Sequence, residues 1–189
     1  MGDLILGLDV STSVTGVCLL NPDLMPNSKG SHILYLDRIE FKKCRTLWEK
    51  SDLVAAEFDS LRKRFEGKIR VFLEEPLMGF RTGMSSAATI TTLMRFNGIV
   101  SYISREIFKV DPEYIASSSA RKLCGIKMKK TSIAGMSGKE QVFKYMSEHD
   151  LKHVTWPTKK NGAMVDWSRD ATDSYCVAKA ACILSQKKD

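Results

Sequence analysis

Acidic side chains at positions predicted to be buried are the residues of this chain best suited to catalysis. The first is Asp9, which lies within the apolar run LILGLDV at residues 4–10. A carboxylate in a buried strand is costly unless a partner compensates its charge. Because side chains alternate between the two faces of a strand, Asp9 shares a face with Ile5 and Gly7. The run therefore predicts a strand that ends on an acid in need of a positive partner.

Two glutamates close a second apolar run, KIRVFLEEP at residues 68–76, which predicts a strand ended by Pro76. Alternation places Glu74 and Glu75 on opposite faces of that strand, so only one of them can join a site with Asp9. We favour Glu74 and keep Glu75 as the alternative.

Asp170 and Asp173 open the last helical segment and lie three residues apart, so they share one face of a helix. The same face continues through Val177, Ala180, Ala181 and Leu184. Because that series is apolar, both aspartates are predicted to point inward. The alternative is that they only cap the helix and interact with its dipole.

Inward acids from three separate elements raise one another's pKa unless a cation lies between them. Mg²⁺ prefers oxygen ligands, and two such ions about 4 Å apart support in-line attack of water on a phosphodiester. We therefore predict two Mg²⁺ ions per active site, with Mn²⁺ as a substitute. The predicted catalytic residues, which are also the predicted metal ligands, are Asp9, Glu74, Asp170 and Asp173.

The elements that must position these acids follow from the hydrophobic pattern. Strands are predicted at 4–10, 17–20, 32–41, 68–76 and 113–116, and helices at 45–65, 84–108, 119–124, 139–149 and 170–186. The first three strands follow one another directly, with a turn or bulge at Thr15–Gly16, which favours an antiparallel meander. This order predicts an α/β fold with a mixed five-stranded sheet flanked by helices, in a single domain spanning 1–189.

Positive charge is concentrated in one segment of a chain whose net charge is +7. Residues 121–139 hold six basic residues and no acidic one, and such a local field favours a polyanion such as nucleic acid. Charge alone leaves a solvated lysine-rich loop equally open. The candidate DNA-binding residues are Arg121, Lys122, Lys127, Lys129, Lys130 and Lys139.

Composition indicates an intracellular protein without membrane association. The five cysteines are scattered, odd in number and free of any CxxC pair, which favours a reducing compartment with no disulfide and no zinc site. No apolar stretch reaches the roughly 20 residues needed to cross a bilayer. The N-terminus lacks the basic and apolar regions of a secretory signal.

Three motifs, taken in order, resemble the RuvC-type Holliday junction resolvases of the ribonuclease H-like superfamily. They are Asp-x₅-Thr-Gly in GLDVSTSVTGVCLL, the strand-end acid of VFLEEP, and Asp-x-x-Asp at the start of the last helix. The resemblance covers residues 4–185. It implies a ribonuclease H-like fold and a dimeric, Mg²⁺-dependent endonuclease that recognises four-way DNA junctions and cuts two opposing strands symmetrically.

The same resemblance matches individual residues to family positions. The family's metal ligands correspond to Asp9, Glu74, Asp170 and Asp173. Among the basic residues, Lys139 in GKEQVF is the closest positional match to those the family places around the helix after the fifth strand. By analogy, the helix predicted at 84–108 forms the dimer interface.

The chain also departs from bacterial members of the family. Those members carry Asp-Pro-Gly-Ser where this chain has DVST at 9–12. Their strand-four acid is followed by Gln and by an aromatic residue that wedges into the junction, whereas here the wedge candidates are Leu77, Met78 and Phe80. These departures favour a phage, viral or organellar member, in the cytoplasm of a bacterium or infected host, or in an organelle.

Three other functions stay open at this stage. A nuclease of the same fold that acts on other branched DNA, flaps or RNA–DNA hybrids would use the same acids. A catalytically inactive nucleic-acid-binding member would not need all four of them. A sugar kinase or actin-like phosphotransferase begins with a similar strand, aspartate and hydroxyl-rich turn. Its two lobes need a much longer chain and a Gly-rich adenosine motif, which this sequence lacks.

Overall fold

The computed structural model describes residues 2–27, 32–76 and 86–186. The predicted wedge candidates Leu77, Met78 and Phe80 lie outside the described residues. The strands are β1 Leu4–Asp9, β2 Val14–Leu20, β3 Ile33–Glu40, β4 Ile69–Glu74 and β5 Glu113–Ile115. The helices are α1 Leu47–Arg64, α2 Ala87–Phe108, α3 Ser117–Leu123, α4 Thr131–Ala134, α5 Gly138–Glu148 and α6 Trp167–Ser185.

The five strands form one sheet in the order β3-β2-β1-β4-β5. β2 pairs antiparallel with both β1 and β3, whereas β4 runs parallel to β1 and β5 parallel to β4. The predicted mixed sheet, with three antiparallel strands followed by parallel ones, is confirmed. The register pairs Leu8 with Leu73, so the next residues, Asp9 and Glu74, reach the same edge of the sheet.

The two faces of the sheet pack against different helices. Leu4, Leu6 and Leu8 of β1 belong to an apolar cluster with α1 and α2. Ile5 of β1 and Phe72 of β4 belong to a second cluster, formed with α3, α5 and α6. This division follows the alternation predicted from sequence. It places the odd-numbered β1 positions, which end at Asp9, on the face covered by α6.

Two glycines let α6 lie directly on β1 and β2. A side-chain carbon at Gly7 would collide with the backbone of Ser174 and Ala178. One at Gly16 would collide with the carbonyl of Asp170. The predicted turn at Thr15–Gly16 is wrong, because Gly16 lies inside β2 and pairs with both Asp9 and Arg38. Gly16 leaves room for α6 to pack closely on β2, and it does not form a turn.

Other differences from the predicted elements lie at helix ends and in short segments. Residues 22–27 form a 3₁₀ turn, and the short helix α4 lies within the basic segment, where the sequence predicts no helix between 124 and 139. α6 begins at Trp167, three residues earlier than predicted, so Asp170 lies in its first turn and does not occupy the N-cap. Leu184, predicted to face inward, is 37% exposed because burial along α6 ends at Cys182.

No described helix is both long and apolar enough to cross a membrane.

Candidate active site

The C-terminal ends of β1 and β4 and the first turns of α6 bring four carboxylates to one edge of the sheet. Asp9 and Glu74 end their strands, and Asp170 and Asp173 point back toward them from α6. The Asp173 side chain is 3% exposed, that of Asp9 11% and that of Asp170 19%. The structure thus brings together all four acids predicted from sequence.

Lys139 lies among these acids. Its Nζ donates hydrogen bonds to Asp9 Oδ2 at 2.9 Å and to Asp170 Oδ1 at 2.7 Å, and lies 3.4 Å from Asp173 Oδ2. It stands in the first turn of α5, whose start is fixed by a capping box between Ser137 and Glu140. The sequence placed Lys139 among the DNA-binding candidates, and the structure places it within the acid cluster.

Burial and mutual repulsion raise the pKa values of Asp9, Glu74 and Asp173. The pKa of Glu74 rises to about 7, chiefly through burial and then through the charge of Asp9. The Ser117 hydroxyl, a hydrogen-bond partner of Glu74, opposes this rise. The pKa of Asp173 also rises to about 7, first through burial and then through Asp9. Burial raises the pKa of Asp9 despite the ammonium of Lys139. A cation close to the cluster opposes this rise, because it stabilises the charged carboxylates.

The donor chemistry of the cluster fits a hard divalent cation. Its oxygens are all carboxylate oxygens, the ligand type that Mg²⁺ prefers. Asp173 Oδ2 is buried and accepts no hydrogen bond from any described residue, which is expensive unless a cation is its partner. As arranged, no three acidic, histidine or cysteine side chains in the described ranges are placed to hold one ion. The cation between the aspartates is the Lys139 ammonium.

Glu75, the alternative to Glu74, lies outside this cluster. Its side chain is exposed, and its backbone N–H donates to the Ile115 carbonyl at the end of β5. The structure therefore brings Glu74, and not Glu75, to Asp9.

The basic segment borders the acids and separates into two environments. Arg121 on α3 is half-buried, and its charge lowers the pKa of Asp9, Glu74 and Asp173. The other four lysines predicted to bind DNA are exposed and form no ion pair with a described residue. They are Lys122, Lys127, Lys129 and Lys130. Their charge is available to an external polyanion.

The hydroxyl-rich turn between β1 and β2 is held by its own hydrogen bonds. Ser11 Oγ accepts from the Val14 N–H at 3.1 Å and donates to the Val14 carbonyl at 2.7 Å. Lys50 of α1 donates to the Thr12 carbonyl at 2.7 Å. The turn that follows Asp9 is thereby fixed from the opposite face of the sheet. Sequence spacing gave no sign of the contact from Lys50, which is 38 residues away.

Arg38 and Trp167 are two further residues that the sequence did not single out. The Arg38 guanidinium stacks 3.9 Å from the centre of the Trp167 ring and is held by ion pairs with Asp37 and Glu40. The stack joins β3 to the first turn of α6, which carries Asp170. An arginine on one strand and a tryptophan 129 positions later leave no local pattern to detect.

No protein-family model matches the chain, and no curated protein matches it in sequence. Solved structures do match. The RuvC of T. thermophilus in complex with a Holliday junction substrate superposes with a TM-score of 0.65 at 11% identity, covering 98% of this chain and 96% of that one. This chain has the fold of RuvC. A second Thermus thermophilus RuvC structure matches with a TM-score of 0.61 at 13% identity, with the same coverage.

The match to RuvC extends over the whole order of elements, so the fold predicted from the three motifs is confirmed. Identity this low establishes the fold alone, because one fold hosts many functions and activity depends on the site. The RuvC fold of this chain presents its acids on three separate elements, β1, β4 and α6, which meet at one edge of the sheet. The chemistry therefore has to be argued from those acids and from Lys139.

Proposed function

We propose that this protein is a Mg²⁺-dependent endodeoxyribonuclease that resolves four-way DNA junctions. The observation that carries the proposal is the cluster of four carboxylates, two of them buried and two half-buried, at the sheet edge of a RuvC fold. Exposed lysines whose side chains form no ion pair with a described residue lie in the adjacent basic segment. Carboxylates supply metal ligands and lysines supply phosphate contacts, which together are the requirements of phosphodiester hydrolysis.

The metal ligands in this proposal are Asp9, Glu74, Asp170 and Asp173. Bound Mg²⁺ supplies a more acidic water as nucleophile and stabilises the charge on the leaving oxygen. The chain supplies the positions. Asp9 is fixed by its pairing with Gly16 of β2 and Glu74 by its pairing with Ile115 of β5. The Ser117 hydroxyl favours the charged form of Glu74. The close packing at Gly16 fixes the height of α6, and hence of Asp170, above the sheet.

Positive side chains beside the acids would hold the scissile strand. Arg121 is close enough to shift the pKa of three of the carboxylates, so its guanidinium lies where a phosphate near the metal site would need a partner. The exposed lysines of residues 122–130 extend this charge along the surface. Contacts of that kind set position and affinity rather than sequence preference.

We infer that the active form is a homodimer built on the α1–α2 surface. A groove of about 730 Å³ lies there. It is lined by Thr46, Leu47, Trp48, Arg95, Gly98, Ile99 and Tyr102. Trp48 is 72% exposed and Tyr102 63%, and exposed aromatic patches mark interaction surfaces. Two opposing cuts need two active sites, whereas the described part of one chain carries a single acid cluster, so we assign the groove to a second copy.

The decisive experiment for activity is cleavage of labelled DNA with Mg²⁺. Four-way junctions, three-way junctions, flaps, RNA–DNA hybrids and linear duplex are compared under the same conditions. We expect paired, symmetric nicks in the four-way junction and little cutting of duplex. If flaps or hybrids are cut as fast as the four-way junction, the protein is a nuclease of broader specificity and not a resolvase. No cutting of any substrate with Mg²⁺ or Mn²⁺ would overturn the nuclease proposal itself.

The dimer is tested by sedimentation of the wild-type protein and of Trp48→Ser with Tyr102→Ser. We expect a dimer that dissociates in the double variant, with an unchanged far-UV circular dichroism spectrum. The same sedimentation coefficient for both proteins at all concentrations would exclude this surface as the interface.

A further inference from the structure

We propose that Lys139 is an exchangeable internal cation. Its ammonium occupies the acid cluster when no metal is bound, leaves when a divalent ion enters, and then takes a DNA phosphate as its partner. The inference rests on the proposed metal site and adds a means of regulation: metal binding and DNA binding assist each other through this one side chain.

The Lys139 ammonium contacts three of the four acids. A single ammonium lies within 3.4 Å of carboxylate oxygens on β1 and on both α6 aspartates. A metal ion would be held by the same oxygens, and a carboxylate oxygen that accepts a hydrogen bond from an ammonium is less available to an ion. The ammonium and a divalent ion therefore compete for one place.

Lys139 reaches the acid cluster from the solvent side. The Lys139 side chain is 44% exposed, whereas those of its three aspartate partners are 3% to 19% exposed. The lysine thus covers the acids from the solvent side. It can swing outward by rotation of its own stem, without any movement of the apolar core.

Lys139 lies in the first turn of α5, a position that does not favour a positive charge. A cation in the first turn of a helix faces the positive end of the helix dipole, so this site does not favour a lysine for the sake of the helix. The backbone is held independently, by the Ser137–Glu140 capping box and by an ion pair between Glu140 and Arg169 at 3.2 Å. Because the backbone of Lys139 is anchored and its side chain is flexible, the ammonium can move while the helix stays in place.

The Lys139 ammonium does not supply a hydrogen bond to every buried oxygen of the cluster. Asp173 Oδ2 lies 3.4 Å from Lys139 Nζ but accepts no hydrogen bond from the described residues. Lys139 brings a single positive charge to three aspartates. A divalent ion brings twice the charge to the same oxygens, so its entry is favoured once the lysine has another partner. A DNA phosphate beside the cluster provides that partner, and coupling of this kind is reciprocal.

The test is Ca²⁺ binding measured by calorimetry without DNA, which needs no catalysis. The proteins are wild type, Lys139→Gln and the matched control Lys144→Gln, which removes an exposed charge from the same helix. We expect Lys139→Gln to bind Ca²⁺ about tenfold more tightly than wild type, since a competing charge is gone, and Lys144→Gln to match wild type. Adding junction DNA should raise the Ca²⁺ affinity of wild type more than that of Lys139→Gln.

A second measurement uses the wild-type protein alone and so does not depend on the folding of a variant. Lysine acetylation by an N-hydroxysuccinimide ester is quantified by mass spectrometry with and without Ca²⁺. We expect acetylation of Lys139 to increase severalfold with Ca²⁺ while that of Lys144 stays constant. Tighter binding by Lys139→Gln together with this increase supports the exchange.

The two levels of the proposal fail in different ways. If wild type binds Ca²⁺ and cuts junctions, but Lys139→Gln binds no more tightly and Lys139 acetylation ignores Ca²⁺, the exchange is overturned and the nuclease proposal stands. If neither protein binds Ca²⁺, Mg²⁺ or Mn²⁺ with or without DNA, the metal site itself is overturned.

Discussion

Leu8 and Leu73 are fully buried on the α1–α2 face of the sheet, surrounded by apolar side chains. One residue further along the same two strands, Asp9 and Glu74 turn to the α6 face and enter a cluster of acids around a lysine. Apolar burial contributes stability in proportion to its area, whereas buried acids lower stability unless a cation compensates them. One face of the sheet therefore stabilises the protein, whereas the edge of the other face carries the cluster of charged side chains.

The largest effect is expected from Asp9→Asn. The substitution keeps the shape of the side chain but removes the charge of a proposed metal ligand, so Mg²⁺-dependent cleavage should fall by about 10³-fold or more. Junction binding in a gel-shift assay without Mg²⁺ should stay within a few-fold of wild type, because the basic segment is unchanged. Near-wild-type cleavage by this variant would remove Asp9 from the mechanism and end the contrast between the two faces.

Leu6→Ala tests the other face. Leu6 is fully buried against α1 and α2, and it lies on the same strand as Asp9. A leucine truncated in such a core costs about 2–5 kcal/mol of unfolding free energy, which urea denaturation measures. Cleavage per folded molecule, assayed well below the denaturation midpoint, should remain close to wild type. Loss of cleavage without loss of stability would show that the α1–α2 face also shapes the site.

Strand periodicity explains why part of this site could be predicted. Side-chain alternation has a period of two, so the sequence alone places Asp9 with Ile5 and Glu74 with Phe72, and the structure agrees. Helical spacing likewise places Asp170 and Asp173 on one inward face. These inferences need only neighbours within one element, and the parallel pairing of β1 with β4 then brings them together.

Contacts between distant segments could not be predicted in the same way. Lys139 meets Asp9 across 130 positions, and only the packing of α5 beside α6 decides which lysine of the basic segment reaches the acids. Gly16 looked like a turn residue because its need for space against α6 is invisible in the sequence. The four residues of α4 are too few for a hydrophobic period to appear.

The basic segment gives a third test, with a control on the opposite face. Replacing Lys127, Lys129 and Lys130 by Gln should weaken junction binding and make the negative slope of log K against log salt shallower by about 2 to 3. The control replaces three basic residues at the end of α1, namely Arg62, Lys63 and Arg64, by Gln. It makes the same change in net charge on the α1–α2 side. An equal change of slope in both variants would mean that net charge, and not the segment beside the acids, determines DNA affinity.

The smallest expected effect is the change of Ca²⁺ affinity with pH, which tests how strongly the acid cluster differs from the apolar face. Glu74 and Asp173 have pKa values of about 7 in the folded protein, above their ordinary 4.5 and 3.8. The folded state therefore holds more protons than the unfolded state between those values, so these two groups make the metal-free protein less stable as pH rises toward 7. A divalent ion binds the deprotonated forms, so Ca²⁺ affinity should rise at least about tenfold between pH 6 and pH 8. Glu74→Gln should flatten the rise of Ca²⁺ affinity with pH, whereas Glu75→Gln, outside the cluster, should leave it unchanged. A pH-independent affinity in the wild-type protein would mean that both carboxyl groups are already ionised at pH 6, and that Lys139 compensates the buried charge more fully than its hydrogen bonds indicate.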